Sequence, residues 1–417
     1  MDLGGSPKSV AATRRLLIVA WEYPGMGSRQ GTALARRIGQ LARGFAERGW
    51  NVDVLHRATA RDADNVVDVQ GINLHAVHDE STSSPKDQTA LVRRFTTAWY
   101  AALHGDRSER WARAARRQLS MFDTMPPQLV IGCFTPRGPL SVARTAARRW
   151  SVPWIADLQD PALEGSSGLV RPLVSLWMRR TLRTASAVVQ VSPEWAKADA
   201  ALLGREVNTL RHAVPLTDVT PVRGSVDPGA DLVLLYAGSL IRGQQSPSEL
   251  VSAVSRVNQR PGRRIVLEVA GGDATLQAFE ECMPSSGFHS WFRPLGWLGT
   301  GDLAAAMRRA DCLVLIPSTE RGRPVVPSKL YEYVAYERPV LVAGADSGAL
   351  SSLYEEWGHE NVTLPTADAI ENALQRVRSG DYSMTLRRSA CARAPMDETE
   401  LVTRYIQLAR AVLLSTN

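Results

Sequence analysis

Pro327-Ser328-Lys329-Leu330-Tyr331-Glu332-Tyr333-Val334-Ala335, continued by Arg338-Pro339-Val340-Leu341-Val342-Ala343, reads as a short helix running into a buried strand. A spacing of three residues puts Lys329 and Glu332 on one helix face. Both fall in the first turn. A carboxylate beside a positive helix N-terminus can accept sugar hydroxyls, and the free N–H groups there can hold phosphate. The plain alternative is a solvated Lys–Glu pair on a surface helix.

Working outward, the same alternation of strand and helix appears in two series. The first opens with Arg15-Leu16-Leu17-Ile18-Val19-Ala20, an apolar run suited to a parallel strand covered on both faces. A loop spans 21–31. Residues 32–48 then carry Leu34, Ile38, Leu41 and Phe45 at helical spacing and stop at Gly49. Further strands are expected at 52–55, 72–77, 129–133, 153–156 and 187–191. Periodicity breaks between 214 and 230, where Pro215, Pro221, Gly224, Pro228 and Gly229 mark a linker. The second series begins with Leu232-Val233-Leu234-Leu235-Tyr236-Ala237, with Gly238 at once after it. It continues with strands at 265–270, 312–316 and 339–343 and helices at 303–309 and 328–335. Residues 398–414 form a long amphipathic helix. This pattern predicts α/β domains with doubly wound parallel sheets. A chain of 417 residues suits two of them: 1–213 and 231–397.

Composition narrows the function classes. Hydrophobic residues make up 44%, enough for two cores, but no run of about 18 uncharged apolar residues predicts a membrane span. Residues 1–13 are polar and lack a signal-peptide core, so the expectation is a cytoplasmic protein. Cys133, Cys282, Cys312 and Cys391 have no metal-ligand spacing and read as free buried thiols. No metal site is expected. The net charge of +7 is carried almost wholly by arginine, since the only lysines are Lys8, Lys86, Lys197 and Lys329. The arginines are spread along the chain without a nucleic-acid-binding motif, so no nucleic-acid partner is expected. Residues 91–122 combine Arg93, Arg94, Arg110, Arg113 and Arg117 with Trp99, Tyr100 and Trp111. Such a helix is suited to weak contact with an anionic membrane, to an acceptor cleft, or to a solvated face. The last two are preferred.

Several strand ends carry candidate chemistry. Gly238-Ser239-Leu240-Ile241-Arg242-Gly243 follows a strand directly; glycine lets backbone approach a phosphate and arginine can grip it. An ordinary strand-to-helix turn is the alternative. Ala270-Gly271-Gly272-Asp273 ends the next strand, and Phe292-Arg293-Pro294-Leu295-Gly296-Trp297-Leu298 comes after it. Pro317-Ser318-Thr319-Glu320 ends another. In the first series, the glycine-bearing loop 21–31 includes Gly25, Gly27, Ser28 and Gly31. The segment Val152-Pro153-Trp154-Ile155-Ala156-Asp157-Leu158-Gln159-Asp160-Pro161 ends in two aspartates, for which a helix N-cap is the plain alternative.

In this order, these segments resemble the retaining glycosyltransferases of the GT-B type, family 4. The resemblance implies two Rossmann-like domains facing across a cleft, with the last helix (398–417) crossing back onto the first. It implies transfer of a sugar from a nucleoside diphosphate sugar with retention, and no cofactor or metal. By the resemblance, the donor is held by Gly27, Gly238, Ser239, Arg242, Gly271, Leu295, Lys329, Leu330 and Glu332. Glu332 takes the ribose, and the acceptor lies at Ser28, Asp157 and Asp160. Arg242, Lys329 and Glu320 carry the catalytic role, the two cations stabilising the leaving diphosphate. Two departures are local. Glu320 and Glu332 are twelve apart, and the usual spacing would fall on Pro324; His212 stands where many members have Asn-Gly. The expected acceptor is a small molecule of secondary-metabolite or thiol biosynthesis. A lipid-linked acceptor in envelope polysaccharide synthesis, or a degenerate nucleotide-sugar-binding protein, are the alternatives.

Overall fold

The computed structural model describes residues 14–23, 33–58, 71–78, 108–163, 166, 168–214, 230–241, 243–285, 287–317, 326–345 and 348–415. The chain divides into two compact units. Unit 1 holds residues 1–211 and 399–417, and unit 2 holds 212–398.

Unit 1 contains β1 (Arg15–Val19), α1 (Ala33–Ala46), β2 (Asn51–Ala58), β3 (Ile72–His78), α2 (Glu109–Gln118), β4 (Leu129–Phe134) and α3 (Gly138–Trp150). It continues with β5 (Trp154–Leu158), α4 (Arg171–Leu182), β6 (Ala187–Gln190), α5 (Pro193–Leu203) and β7 (Asn208–Thr209). Its seven strands run in the order β3-β2-β1-β4-β5-β6-β7, every neighbour parallel. Such strands are covered on both faces, which is why they read as unbroken apolar runs. Leu16, Leu17, Ile18 and Val19 are fully buried.

Unit 2 contains β8 (Leu232–Ala237), α6 (Ser248–Asn258), β9 (Ile265–Ala270), α7 (Asp273–Glu280), β10 (Phe292–Gly296), α8 (Thr300–Arg309) and β11 (Cys312–Leu315). Then come α9 (Lys329–Ala335), β12 (Val340–Ala343), α10 (Ala349–Trp357), β13 (Thr363–Leu364) and α11 (Ala367–Arg378). Six parallel strands are ordered β10-β9-β8-β11-β12-β13. Pro294 is tolerated because β10 is an edge strand, and the pairing shifts register between Pro294 and Gly296. Strand order reverses between β8 and β11, the place where open α/β sheets bind ligands.

The last helix, α12 (Glu398–Leu414), joins unit 1 and packs on α1. Gly44 lies inside α1, where glycine is ordinarily a liability. A Cβ there would sit 2.3 Å from Val402 Cγ2, so glycine is what allows the close approach. Tyr405 stands edge-on to Phe45, with ring centroids 6.3 Å apart.

The helix expected over 91–122 is seen in part. Residues 109–118 are helical and 119–122 form a 3₁₀ turn, while Trp99 and Tyr100 lie outside the described residues. Trp111 is fully buried in the core of unit 1 rather than turned outward among the arginines.

Candidate functional site

Helix α9 has only seven residues, too few to be stable alone in water. It holds because Leu330, Tyr331, Tyr333, Val334 and Ala335 are buried in one core of unit 2. That packing leaves Lys329 and Glu332, the half-buried residues of the same face, at the carboxyl end of β8.

Lys329 Nζ donates to the Tyr236 hydroxyl at 2.8 Å and stands 4.2 Å from the centre of the Tyr236 ring. The Ser239 carbonyl lies 3.5 Å from the same nitrogen. Among the described residues Lys329 makes no ion pair. Burial lowers its pKa to about 7, against the opposing pull of the Glu332 carboxylate. Gly238 makes room for this lysine. Its φ is +121°, and a Cβ there would lie 2.6 Å from Lys329 Cε and 2.7 Å from Nζ. Tyr333 fixes the strand end: its hydroxyl accepts from Ala237 N–H and donates to Ala237 O, both at 3.0 Å.

The neighbouring strand end is just as tight. Gly271 N–H donates to Gly296 O at 2.9 Å, and a Cβ on Gly271 would come within 2.7 Å of Gly238 O. Leu240 N–H donates to Thr275 Oγ1 at 3.1 Å, tying the glycine turn to α7. Gln245 spans the strand-order reversal: it accepts from Ile241 N–H at 3.0 Å and donates to Ile316 O, just beyond β11. Leu295 is half-buried, and Trp297 is 42% exposed beside Gly272, the residue preceding α7. The arrangement is a half-buried cation under two close glycine turns with an open indole at the side. A diphosphate and an aromatic base match those features in charge and shape.

Thus Gly238, Ser239, Gly271, Lys329 and Glu332 are brought to the ends of β8 and β9, with Leu295 at the end of β10. Two expected site residues are placed otherwise. Leu330 is fully buried in the core, and its N–H donates to Pro327 O at 2.9 Å. Asp157 is fully buried in unit 1, with both carboxylate oxygens 2.9 Å from Arg37 Nε and NH2. It has no face open to an acceptor. Burial works against the Arg37 charge, but the Asp157 carboxylate outweighs it and raises the guanidinium pKa. Arg37 also donates to Arg211 O at 3.0 Å. Asp160 caps no helix; it is half-buried and accepts from the Thr135 hydroxyl at 2.7 Å. Arg242, Glu320, Gly27 and Ser28, with Pro324, lie outside the described residues.

Sequence reasoning missed Tyr236, Tyr333, Gln245 and Arg37. The doubled tyrosines of Tyr331-Glu332-Tyr333 were a signal, since a buried tyrosine usually finds a partner for its hydroxyl. Among the described residues no group of three or more His, Cys, Asp or Glu could hold a metal ion. No described helix is long and apolar enough to cross a membrane.

Comparison with known proteins follows the same division. Residues 32–215 match the family described as "Glycosyl transferase 4-like domain", and residues 231–379 match "Glycosyl transferases group 1". No curated protein shows significant sequence similarity to the chain. Among solved structures, a glycosyltransferase from Rickettsia africae superposes with TM-score 0.62 at 12% identity, covering 96% of this chain and 99% of that one. Anabaena HepE in complex with UDP-glucose gives TM-score 0.59 at 13% identity, covering 95% and 99%. A UDP-N-acetylglucosamine 2-epimerase from Listeria monocytogenes, so named in its structure, gives 0.54 at 10%, covering 97% and 98%. Likeness at such identity shows the fold, which both transferases and an epimerase-like protein share. The two matched domain families decide between them: the chain belongs to the glycosyltransferases of the GT-B fold.

Proposed function

We propose that the protein transfers a sugar from a nucleoside diphosphate sugar to a small-molecule acceptor, with retention at the anomeric carbon and without a metal. The observation that carries the donor reading is Lys329, a lysine that makes no ion pair among the described residues and is set beneath the Gly238 turn. An arriving diphosphate supplies an anion for it. Lys329 holds the phosphates where the Gly238 and Gly271 turns leave room for them, Glu332 accepts the ribose hydroxyls, and the 295–297 segment flanks the base. In the reaction the anomeric C–O bond breaks and its electron pair leaves with the diphosphate. The acceptor atom attacks from the same face, and its proton passes to the leaving phosphate. Lys329 stabilises the charge that develops there. Arg242, Glu320, Gly27, Ser28 and Asp160 are proposed for the roles the resemblance implies. The UDP and UDP-glucose complexes of HepE support uracil as the first base to try. A donor of this class is a cytoplasmic metabolite, which supports a cytoplasmic site of action, and secondary-metabolite or thiol biosynthesis is the proposed setting.

A second reading, a lipid-linked acceptor, is favoured by two exposed leucines on α4, Leu173 and Leu176. The test of the donor site is thermal denaturation with UDP, GDP, dTDP and ADP, using wild type and Glu332→Ala. One nucleotide should stabilise the wild type by a few kcal/mol when well above its Kd, and the variant much less. Stabilisation by none of them would sink the reading. Binding without donor turnover by any acceptor would instead point to a degenerate nucleotide-sugar-binding protein.

A further inference from the structure

The sequence of α4, Arg171-Pro172-Leu173-Val174-Ser175-Leu176-Trp177-Met178-Arg179-Arg180-Thr181-Leu182, contains no carboxylate. Its inner face is conventional: Val174, Met178, Thr181 and Leu182 are buried in unit 1. Its outer face is not. Leu173 is 55% exposed and Leu176 46% exposed, three residues apart and so side by side on the helix. Trp177, half-buried, lies at the edge of the core beneath them. Arg179, Arg180 and the C-cap Arg183 are exposed, and among the described residues none of the three makes an ion pair. The helices sharing this side of the sheet add to the charge: Arg113 and Arg117 of α2 and Arg148 of α3 are exposed too.

We propose that the outward face of α4, with Leu173, Leu176 and Trp177 among Arg179, Arg180 and Arg183, docks the protein onto a membrane surface bearing anionic phospholipid. A helix lying in the interfacial plane needs apolar side chains to enter the acyl boundary and cations to meet the headgroups. This face supplies both, with an indole at the boundary. The charges decide against the other occupants. A second copy of the chain meeting the same face about a two-fold axis would set unpaired arginines against unpaired arginines. A nucleic acid or acidic protein surface would answer the arginines but leave the leucines without a function.

The inference does not rest on the donor reading, and its test needs neither donor nor turnover. Full-length protein is floated with vesicles of phosphatidylcholine alone and of phosphatidylcholine mixed with phosphatidylglycerol, at low and high salt. It should float with the mixed vesicles on the order of tenfold more than with neutral ones, and salt should weaken that binding. Leu173→Ser with Leu176→Ser should reduce flotation on the order of tenfold while the melting temperature is kept. Leu414→Ser, at another exposed leucine, should float as wild type does. Indifference to anionic vesicles overturns the proposal. So does undiminished flotation of the double serine variant. A wild-type dimer that the double variant dissolves, with no vesicle binding, would make the face a contact between copies and overturn it as well.

Discussion

Replacing Lys329 by Met should change how stability depends on pH, in a window fixed by the lysine itself. Methionine keeps most of the stem and deletes the ammonium. The folded state holds Lys329 at a pKa of about 7, against 10.5 for an ordinary lysine. Between those values the unfolded chain binds this proton and the folded chain largely does not. Stability from this group is therefore present above pH 10.5, lost as pH falls towards 7, and absent below. Each pKa unit corresponds to about 1.4 kcal/mol, so the ceiling over the window is about 5 kcal/mol. Solvent reaches a half-buried side chain, which reduces the expectation to on the order of 2–3 kcal/mol. Urea denaturation at several pH values from 7.5 to 10 should show the wild type gaining about 1 kcal/mol per pH unit relative to Lys329→Met. At neutral pH the variant should be the more stable protein, because the cost of enclosing an ammonium is gone. Calorimetric titration with UDP in two buffers of unlike ionisation enthalpy supplies the functional half. At pH 8 the wild type should take up part of a proton on binding, as the diphosphate draws Lys329 back to its charged form; the variant should take up none. Parallel stability curves for the two proteins across the window would refute the account of Lys329 as a buried cation awaiting an anion.

Three further substitutions test the surroundings. Tyr333→Phe removes both hydroxyl contacts with Ala237 and should cost about 1–3 kcal/mol in urea melts, with weaker UDP binding; unchanged binding would mean that the Gly238 turn holds itself. Asp157→Asn leaves Arg37 buried without its counter-charge and should cost about 3–5 kcal/mol, where an effect under about 1 kcal/mol would return Asp157 to the list of candidate ligand-binding residues. Gly44→Ala drives a methyl group into Val402, and a loss of about 1–3 kcal/mol is expected despite the better helix propensity of alanine; a gain in stability would show that α12 can step aside.

The strands of both sheets were legible because burial on two faces demands unbroken apolar runs. The runs at 232–237 and 265–270 coincide with β8 and β9. Two-residue strands such as β7 and β13 leave no pattern to read. The candidate site was legible where a residue type is imposed locally, as at Gly238 and Lys329, which the fold brings together. It was hidden where the partner is distant in sequence. Tyr236 and Tyr333 look like core aromatics, and only tertiary contact shows what their hydroxyls hold. Arg37 looks like one more arginine on the solvated side of an amphipathic helix, and Asp157 like a strand-end ligand. Their mutual neutralisation joins positions 120 residues apart, which no local pattern announces.

The pairing of Gly44 with Val402 also sets an order of events during synthesis. The groove on α1 is finished early, but the helix that fills it is translated only after all of unit 2, residues 212–398. At ~5–20 residues per second the ribosome takes on the order of ten seconds or more to reach it. Through that interval Phe45 and its neighbours lack the cover of Tyr405, and nascent unit 1 presents an apolar stripe to whatever is nearby. A chain cut short just before Glu398 would keep that stripe for good. It would carry unit 2 intact and still be a client for chaperones or proteases.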